Sequence, residues 1–278
     1  MTVQNLQILR SNQEETDTCV VLYAKYGASE GYTNVRIRSP DSDIFFILLH
    51  FSARIDSRIL FDTGSGNHKR LINITELATS YGPAKCTTLL CLHAYTGCNT
   101  CSAFKGIGKI KPMKIIEKKT KLANSLSKLG DSWEVDDETL KALETLTCCF
   151  YGSFRTTSLS SLRLFLLSKR CDSEGKLDPK RSVDLSSLPP CFLTLEQHIK
   201  RCNLQIGIWK RAMENFPEIP NANGHGWVLT KGVLEPLWCE EEVLPQNMSV
   251  LLEDYEEVDN EDLEEELDSE DSDVSIEY

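Results

Sequence analysis

Apolar and polar positions along the first hundred residues follow two periods. Over residues 12–28, NQEETDTCVVLYAKYGA, Cys19, Leu22, Tyr23 and Tyr26 recur at helical spacing and predict a helix with those side chains in the core. Asn12 or Ser11 would cap it, Glu14, Glu15 and Asp17 would fill its first turn, and Gly27 would end it. Residues 34–38, NVRIR, alternate β-branched with basic positions and predict a strand. A Ser39-Pro40-Asp41 turn follows, and Ser42 and Asp43 open an apolar run over 44–51. Residues 58–62 predict a second strand, 63–67 a glycine-rich turn, and 71–74 keep β-branched character. Residues 74–81 and 87–95 predict helices parted at Gly82-Pro83. Helices alternating with strands predict a three-layer α/β core.

Downstream the pattern is helical. Residues 112–119, 121–129 and 159–167 predict short helices. Residues 136–151 predict a longer one, opened by Asp136 or Asp137, with Leu140, Leu143, Leu146 and Thr147 on one face. Residues 171–190 are a polar, proline-containing linker. Residues 195–215 predict a long amphipathic helix carrying His198, Lys200, Arg201, Lys210 and Arg211. Residues 226–238 predict a hairpin turning at Lys231-Gly232. The expected organisation is a core over 1–130, a helical extension with a small hairpin over 131–240, and an acidic tail over 241–278.

Charge changes the picture. The 278 residues carry a net charge of -12, but residues 250–278 hold fifteen Asp and Glu and no Lys or Arg. The body is therefore slightly basic, and the acidic total does not exclude a nucleic-acid partner. The tail has too few apolar groups to offset chain entropy and reads as disordered. It is a candidate surface for a protein partner. The eleven cysteines are irregularly spaced. There is no basic start followed by an apolar run, and no segment approaches the ~20 apolar residues of a membrane span. Reduced thiols in the nucleus or cytoplasm, with no membrane partner, are expected. Cys86, Cys91, His93, Cys98 and Cys101 cluster in sequence, and Cys98-x-x-Cys101 has zinc-type spacing. The first three fall on a segment that reads as a buried helix, and no second Cys-x-x-Cys exists, so structural thiols are the expectation.

The candidate chemistry is acidic. Glu15 and Asp17 form one spaced pair. Asp41 and Asp43 form a second, at the C-terminal edge of a predicted strand, where ligands bind in open α/β sheets. Asn99 follows a small-residue turn. Seven residues later comes Gly106-Ile107-Gly108, flanked by Lys105, Lys109, Lys111 and Lys114. Carboxylates at the ends of several elements suit hard cations such as Mg²⁺, and two such ions can activate a water against a phosphodiester. A glycine turn opening a helix can offer backbone N–H groups and nearby lysines to phosphate. The five histidines sit in unrelated contexts. No Ser-His-Asp or Cys-His arrangement, Walker loop or Rossmann glycine pattern is present.

The blocks E-E-T-D (14–17), S-P-D-S-D (39–43) and T-G-C-N-T-C-S-A-F-K-G-I-G (96–108) together resemble the flap endonuclease branch of the PIN-like nuclease superfamily, especially its Asteroid-type or transposon-associated members. The resemblance spans about residues 10–130 and continues more weakly to about 240. It implies an α/β PIN-like core with a helix-hairpin-helix element. It also implies a Mg²⁺ (or Mn²⁺) site held by Glu15, Asp17, Asp41, Asp43 and Asn99, and a DNA-phosphate grip from Lys105, Gly106, Ile107, Gly108 and Lys109. The implied activity is structure-specific cleavage of DNA phosphodiesters. Two departures stand beside it. Position 99 is Asn where the family has Asp, and the family's N-terminal half, with further aspartates, is expected to be missing. A catalytically inactive nucleic-acid-binding or interaction protein derived from a mobile element is the alternative.

Overall fold

The structure, a computed structural model, describes residues 6–169 and 185–239. They divide into two compact units, one of residues 6–143 and 193–239, the other of residues 144–169 and 185–192. The predicted tail and most of the predicted 171–190 linker lie outside the described residues.

The first unit is mixed α/β. Helix α1 (Thr16–Ser29) leads into strand β1 (Asn34–Arg38), helix α2 (Ser42–Phe51) and strand β2 (Arg58–Thr63). β1 and β2 pair in parallel, Asn34 opposite Arg58 through Arg38 opposite Asp62, so α2 is the crossover of a βαβ unit. Strand β3 (Arg70–Asn73) pairs antiparallel on the other side of β2. Helices α3 (Ile74–Tyr81), α4 (Pro83–Tyr95), α5 (Ile110–Lys118), α6 (Thr120–Ser127) and α7 (Asp137–Phe150) follow, α7 running across the boundary between the units. Helix α8 (Leu159–Ser168) belongs to the second unit. Helix α9 (Phe192–Lys210) and the hairpin β4 (Trp227–Thr230) and β5 (Val233–Pro236) bring the chain back to the first. Among the described residues no helix is long and apolar enough to cross a membrane.

Three helices form the centre. In α2, Ile47, Leu48, Leu49 and Phe51 are almost wholly buried, and α4 buries every residue from Thr88 to Tyr95. Burial of one such side chain stabilises by roughly 1.5–3 kcal/mol. α9 packs on the end of α4, where the His198 ring bonds the Tyr95 carbonyl and the Cys202 thiol donates to the Ala94 carbonyl.

Most predicted elements form within a few residues of their expected limits. Two differ in a way that matters for the site. α1 starts at Thr16, not at 12, because the Ser11 hydroxyl accepts from the Gln13 backbone and closes a local turn instead. Glu14 and Glu15 therefore precede the helix, with Glu15 at its N-cap. Gly27 lies inside the helix. Its buried stripe is Thr18, Val21, Leu22 and Ala24, while Tyr23 is exposed. The second difference is α9. The predicted charged, amphipathic helix buries Leu195, His198, Ile199, Arg201, Cys202, Asn203, Leu204, Gln205, Ile206 and Trp209. Arg201 is accommodated because its guanidinium donates to the Gly226 and Leu237 carbonyls of the hairpin segment. The hairpin turns where expected, with Lys231 and Gly232 both at positive φ (51° and 84°), as a two-residue primed turn requires.

Candidate metal centre

Two helix N-termini build the site. Asp41 is the N-cap of α2, and its carboxylate accepts the Asp43 backbone N–H at 2.8 Å. The Ser39 hydroxyl accepts the Asp41 N–H and fixes the turn out of β1. Asp43 and Asp17 sit in the first turns of α2 and α1, where the helix dipole favours negative charge. One carboxylate oxygen from each of Asp17, Asp41 and Asp43 lies within 4.8 Å of the others. With Glu15, Thr16, Asn99, Thr100, Gln205 and Trp209, these residues line an open cleft of about 340 Å³. The four predicted acids and Asn99 thus share one cavity.

Crowding leaves an electrostatic mark. Partial burial, then the neighbouring Asp41, Asp43 and Glu15, push the Asp17 carboxyl up to about 6. Burial also raises Glu15, against the opposing pull of Gln205 and of the Trp209 indole. The Gln205 amide donates to both Glu15 oxygens, at 2.9 and 3.1 Å. The Trp209 N–H faces the same side of the cleft and has no hydrogen-bond partner within range. Among the described residues neither Asp17 nor Asp41 has an ion-pair partner. Asp43 is held from behind by His93 Nε2 at 2.7 Å. Burial lowers His93, so a neutral ring donates to the carboxylate, flanked by Phe46 and Trp209. Three carboxylates with so little compensating charge are a donor set for a hard divalent cation, which would relieve their repulsion. Asn99 and Glu15 line the same cleft and can add oxygen.

The glycine turn is built differently. Gly97, at φ 115°, is packed so closely that a Cβ there would meet Ala103 at 2.8 Å. Gly106, at φ 77°, and Gly108 are exposed at the tip, with Ile107 half-buried between them and Lys105 exposed beside them. Lys109 does not face outward. Its ammonium donates to the His93 carbonyl at 2.9 Å, the Thr96 hydroxyl at 3.1 Å and the Gly97 carbonyl at 2.8 Å. All three of its N–H groups cap the C-terminal end of α4.

The clustered cysteines separate. Cys86 donates to the Ala78 carbonyl, Cys91 lies against the Ser127 and Leu129 carbonyls, and His93 serves Asp43. Only Cys98 and Cys101 stay together. His93, Gln205 and Trp209 were not legible as site residues. The first sits in a buried apolar run, and the other two on a helix whose amphipathic pattern names no site residue. Comparison with protein-family models, with curated proteins and with solved structures returned no match.

Proposed function

We propose that the chain is a divalent-metal-dependent nuclease-like protein of the PIN and flap-endonuclease type, acting on DNA phosphodiesters. The convergence of Asp17, Asp41 and Asp43 within 4.8 Å carries this reading. Those three carboxylates would hold Mg²⁺ or Mn²⁺, with Glu15 and Asn99 completing the oxygen shell. The bound ion would supply an activated water and stabilise the leaving oxygen. His93 fixes the Asp43 carboxylate, and Gln205 orients Glu15. Lys105 and the exposed Gly106–Gly108 backbone are the proposed phosphate contacts, and α4–α5 the proposed helix-hairpin-helix.

One observation favours a second reading, a binder that kept the fold and lost the chemistry. Asn99 replaces a carboxylate in the cleft and removes one negative charge from the cation site. Flap DNA incubated with Mg²⁺ or Mn²⁺ separates the two. Cleavage by the wild-type chain that falls at least 100-fold in Asp43→Ala supports the nuclease. Equal cleavage by both proteins rejects the site, and salt-sensitive binding without cutting selects the second reading.

A further inference from the structure

The three-stranded sheet is open at β1. Its order is β1-β2-β3, and among the described residues no strand pairs on the outer side of β1. The parallel ladder fixes which groups point there. The Thr33 carbonyl accepts the Arg58 N–H at 2.9 Å, and the Ser39 N–H donates to the Asp62 carbonyl at 3.1 Å. With a period of two, Val35 and Ile37 also turn their backbone groups to β2, so Asn34, Arg36 and Arg38 turn theirs outward. Ile59 and Phe61 of β2 are 0% and 3% exposed, whereas their neighbours on β1, Val35 and Ile37, are only half-buried. We propose that the chain's own acidic tail closes this edge, residues Asp273-Val274-Ser275-Ile276-Glu277 adding as a fourth strand beside β1. The inference does not depend on the nuclease reading.

The two faces of the sheet require different side chains of such a strand. One face packs on helices. A Cβ on Gly27 of α1 would stand 3.2 Å from Val35 Cγ2, and the Phe61 ring meets Phe45 of α2. Tyr23, one turn before Gly27 on the same side of α1, is 53% exposed. A strand beside β1 needs apolar residues on this face, and Val274 and Ile276 supply them next to Val35 and Ile37. The other face carries Arg36, Arg38 and Arg58, all exposed, against one buried carboxylate, Asp62, which pairs with Arg36 at 2.7 Å. Asp273 and Glu277 fall on this face and oppose its positive charge. Both segments alternate in the same way, so either strand direction sets apolar beside apolar and acid beside arginine.

The arginines also select the strand. Charged side chains on a sheet edge turn away unmatched strands, and two arginines turn away basic ones while favouring an acidic one. Elsewhere the tail's acids run in blocks, as at Glu264, Glu265 and Glu266, which cannot present one apolar face. Alone, the tail is too polar and too charged to fold. On the edge it gains the backbone hydrogen bonds of Asn34, Arg36 and Arg38 as well as the charge pairs, the usual division between main-chain affinity and side-chain specificity in strand addition. Residues 240–272 join the hairpin end to this segment. At up to ~3.3 Å per residue, their length does not limit its reach.

Amide hydrogen exchange on the full chain tests this. The comparison is with a chain carrying Ser275→Pro and Ile276→Pro together, since one of these two N–H groups must face β1 whichever way the strand runs. The outward N–H groups of Arg36 and Arg38 should exchange about 10-fold or more slowly in the wild type than in that variant. The N–H groups of Leu90 and Cys91, in the buried centre of α4, should exchange equally in both and report an intact core. Asp273→Lys with Glu277→Lys should lose the protection of Arg36 and Arg38 in the same way, because it sets like charges on the arginine face. Equal exchange of Arg36 and Arg38 in the wild type and the proline variant overturns the proposal, as does protection retained in the charge-reversed chain. Protection that grows with protein concentration would show a strand from a second copy on the edge and overturns it as well.

Discussion

The acidic cleft and the glycine turn hold charges of opposite sign and treat them in opposite ways. In the cleft, two helix N-termini gather Asp17, Asp41 and Asp43. The backbone N–H bonded to Asp41 occupies one of its oxygens and leaves the other for a cation. In the turn, Lys109 meets a helix C-terminus, where three acceptors take all three of its protons. Both arrangements complement a helix dipole. An acid at an N-cap keeps spare acceptor capacity, whereas an ammonium with three partners has none to offer. Sequence spacing alone suggested that both regions face a ligand. The structure leaves that open to the cleft, Lys105 and the exposed glycines, and gives Lys109 a structural role.

The largest effect should come from breaking the turn. Lys109→Met keeps the length of the aliphatic stem and removes the ammonium. The His93 and Gly97 carbonyls and the Thr96 hydroxyl then lose their shared donor near the buried end of α4. A loss of about 2–3 kcal/mol in unfolding free energy is expected, because each buried polar group left unpaired costs about 1–3 kcal/mol and water recovers part of it. Denaturant titration measures this. Lys105→Met, at the exposed tip, should change stability by less than about 1 kcal/mol, because water screens whatever an exposed ammonium contacts there. Equal losses in the two variants would erase the contrast between these lysines.

A smaller effect should come from filling the cleft. Asn99→Asp adds one carboxylate to a cavity already lined by four. It should tighten Mn²⁺ binding about 10-fold, equivalent to about 1.4 kcal/mol, and lower stability slightly without metal. Calorimetric titration with Mn²⁺ checks the first, and a melting curve in chelator the second. Unchanged affinity would place residue 99 outside the cation's reach.

How much of this was legible depends on what each residue answers to. Asp41 and Asp43 could be placed because a strand, a Ser-Pro turn and an apolar run fix where a helix must begin. The 231–232 turn could be placed because Lys-Gly between alternating runs satisfies a local backbone requirement. The N-terminus of α1 was misplaced because Ser11, Asn12 and Glu15 compete for one boundary, and the choice depends on distant partners. The Asn12 backbone N–H bonds Asn215, and Gln205 holds Glu15. His93, Gln205 and Trp209 gain their roles from contacts spanning 50 residues or more in the chain, for which no local period exists. α9 was placed as a helix, but the burial of its charged residues was not legible, for the same reason. Arg201 and Lys210 resemble surface charges until the carbonyls and Asp131 that receive them are in place.

The smallest effect concerns Asp17 and is read through pH. Its carboxyl is raised to about 6 in the folded protein, against an ordinary 3.8. The unfolded chain therefore ionises it more readily, and the charged form destabilises the fold above about pH 6. That penalty fades as the pH falls through 6 and is gone below about 4, where both states hold the proton. The group is half-buried at the edge of an open cleft, and screening by the water there reduces the penalty to about 1 kcal/mol. Asp17→Asn removes it. Without metal, the variant should melt about 2–4 °C higher than the wild type at pH 7.5 and at the same temperature at pH 4. Saturating Mn²⁺ should reverse the order at pH 7.5, because the ion stabilises only the chain that keeps the carboxylate. The reversal is the decisive part: repulsion alone predicts the first difference, and only a cation held at the N-termini of α1 and α2 predicts the second.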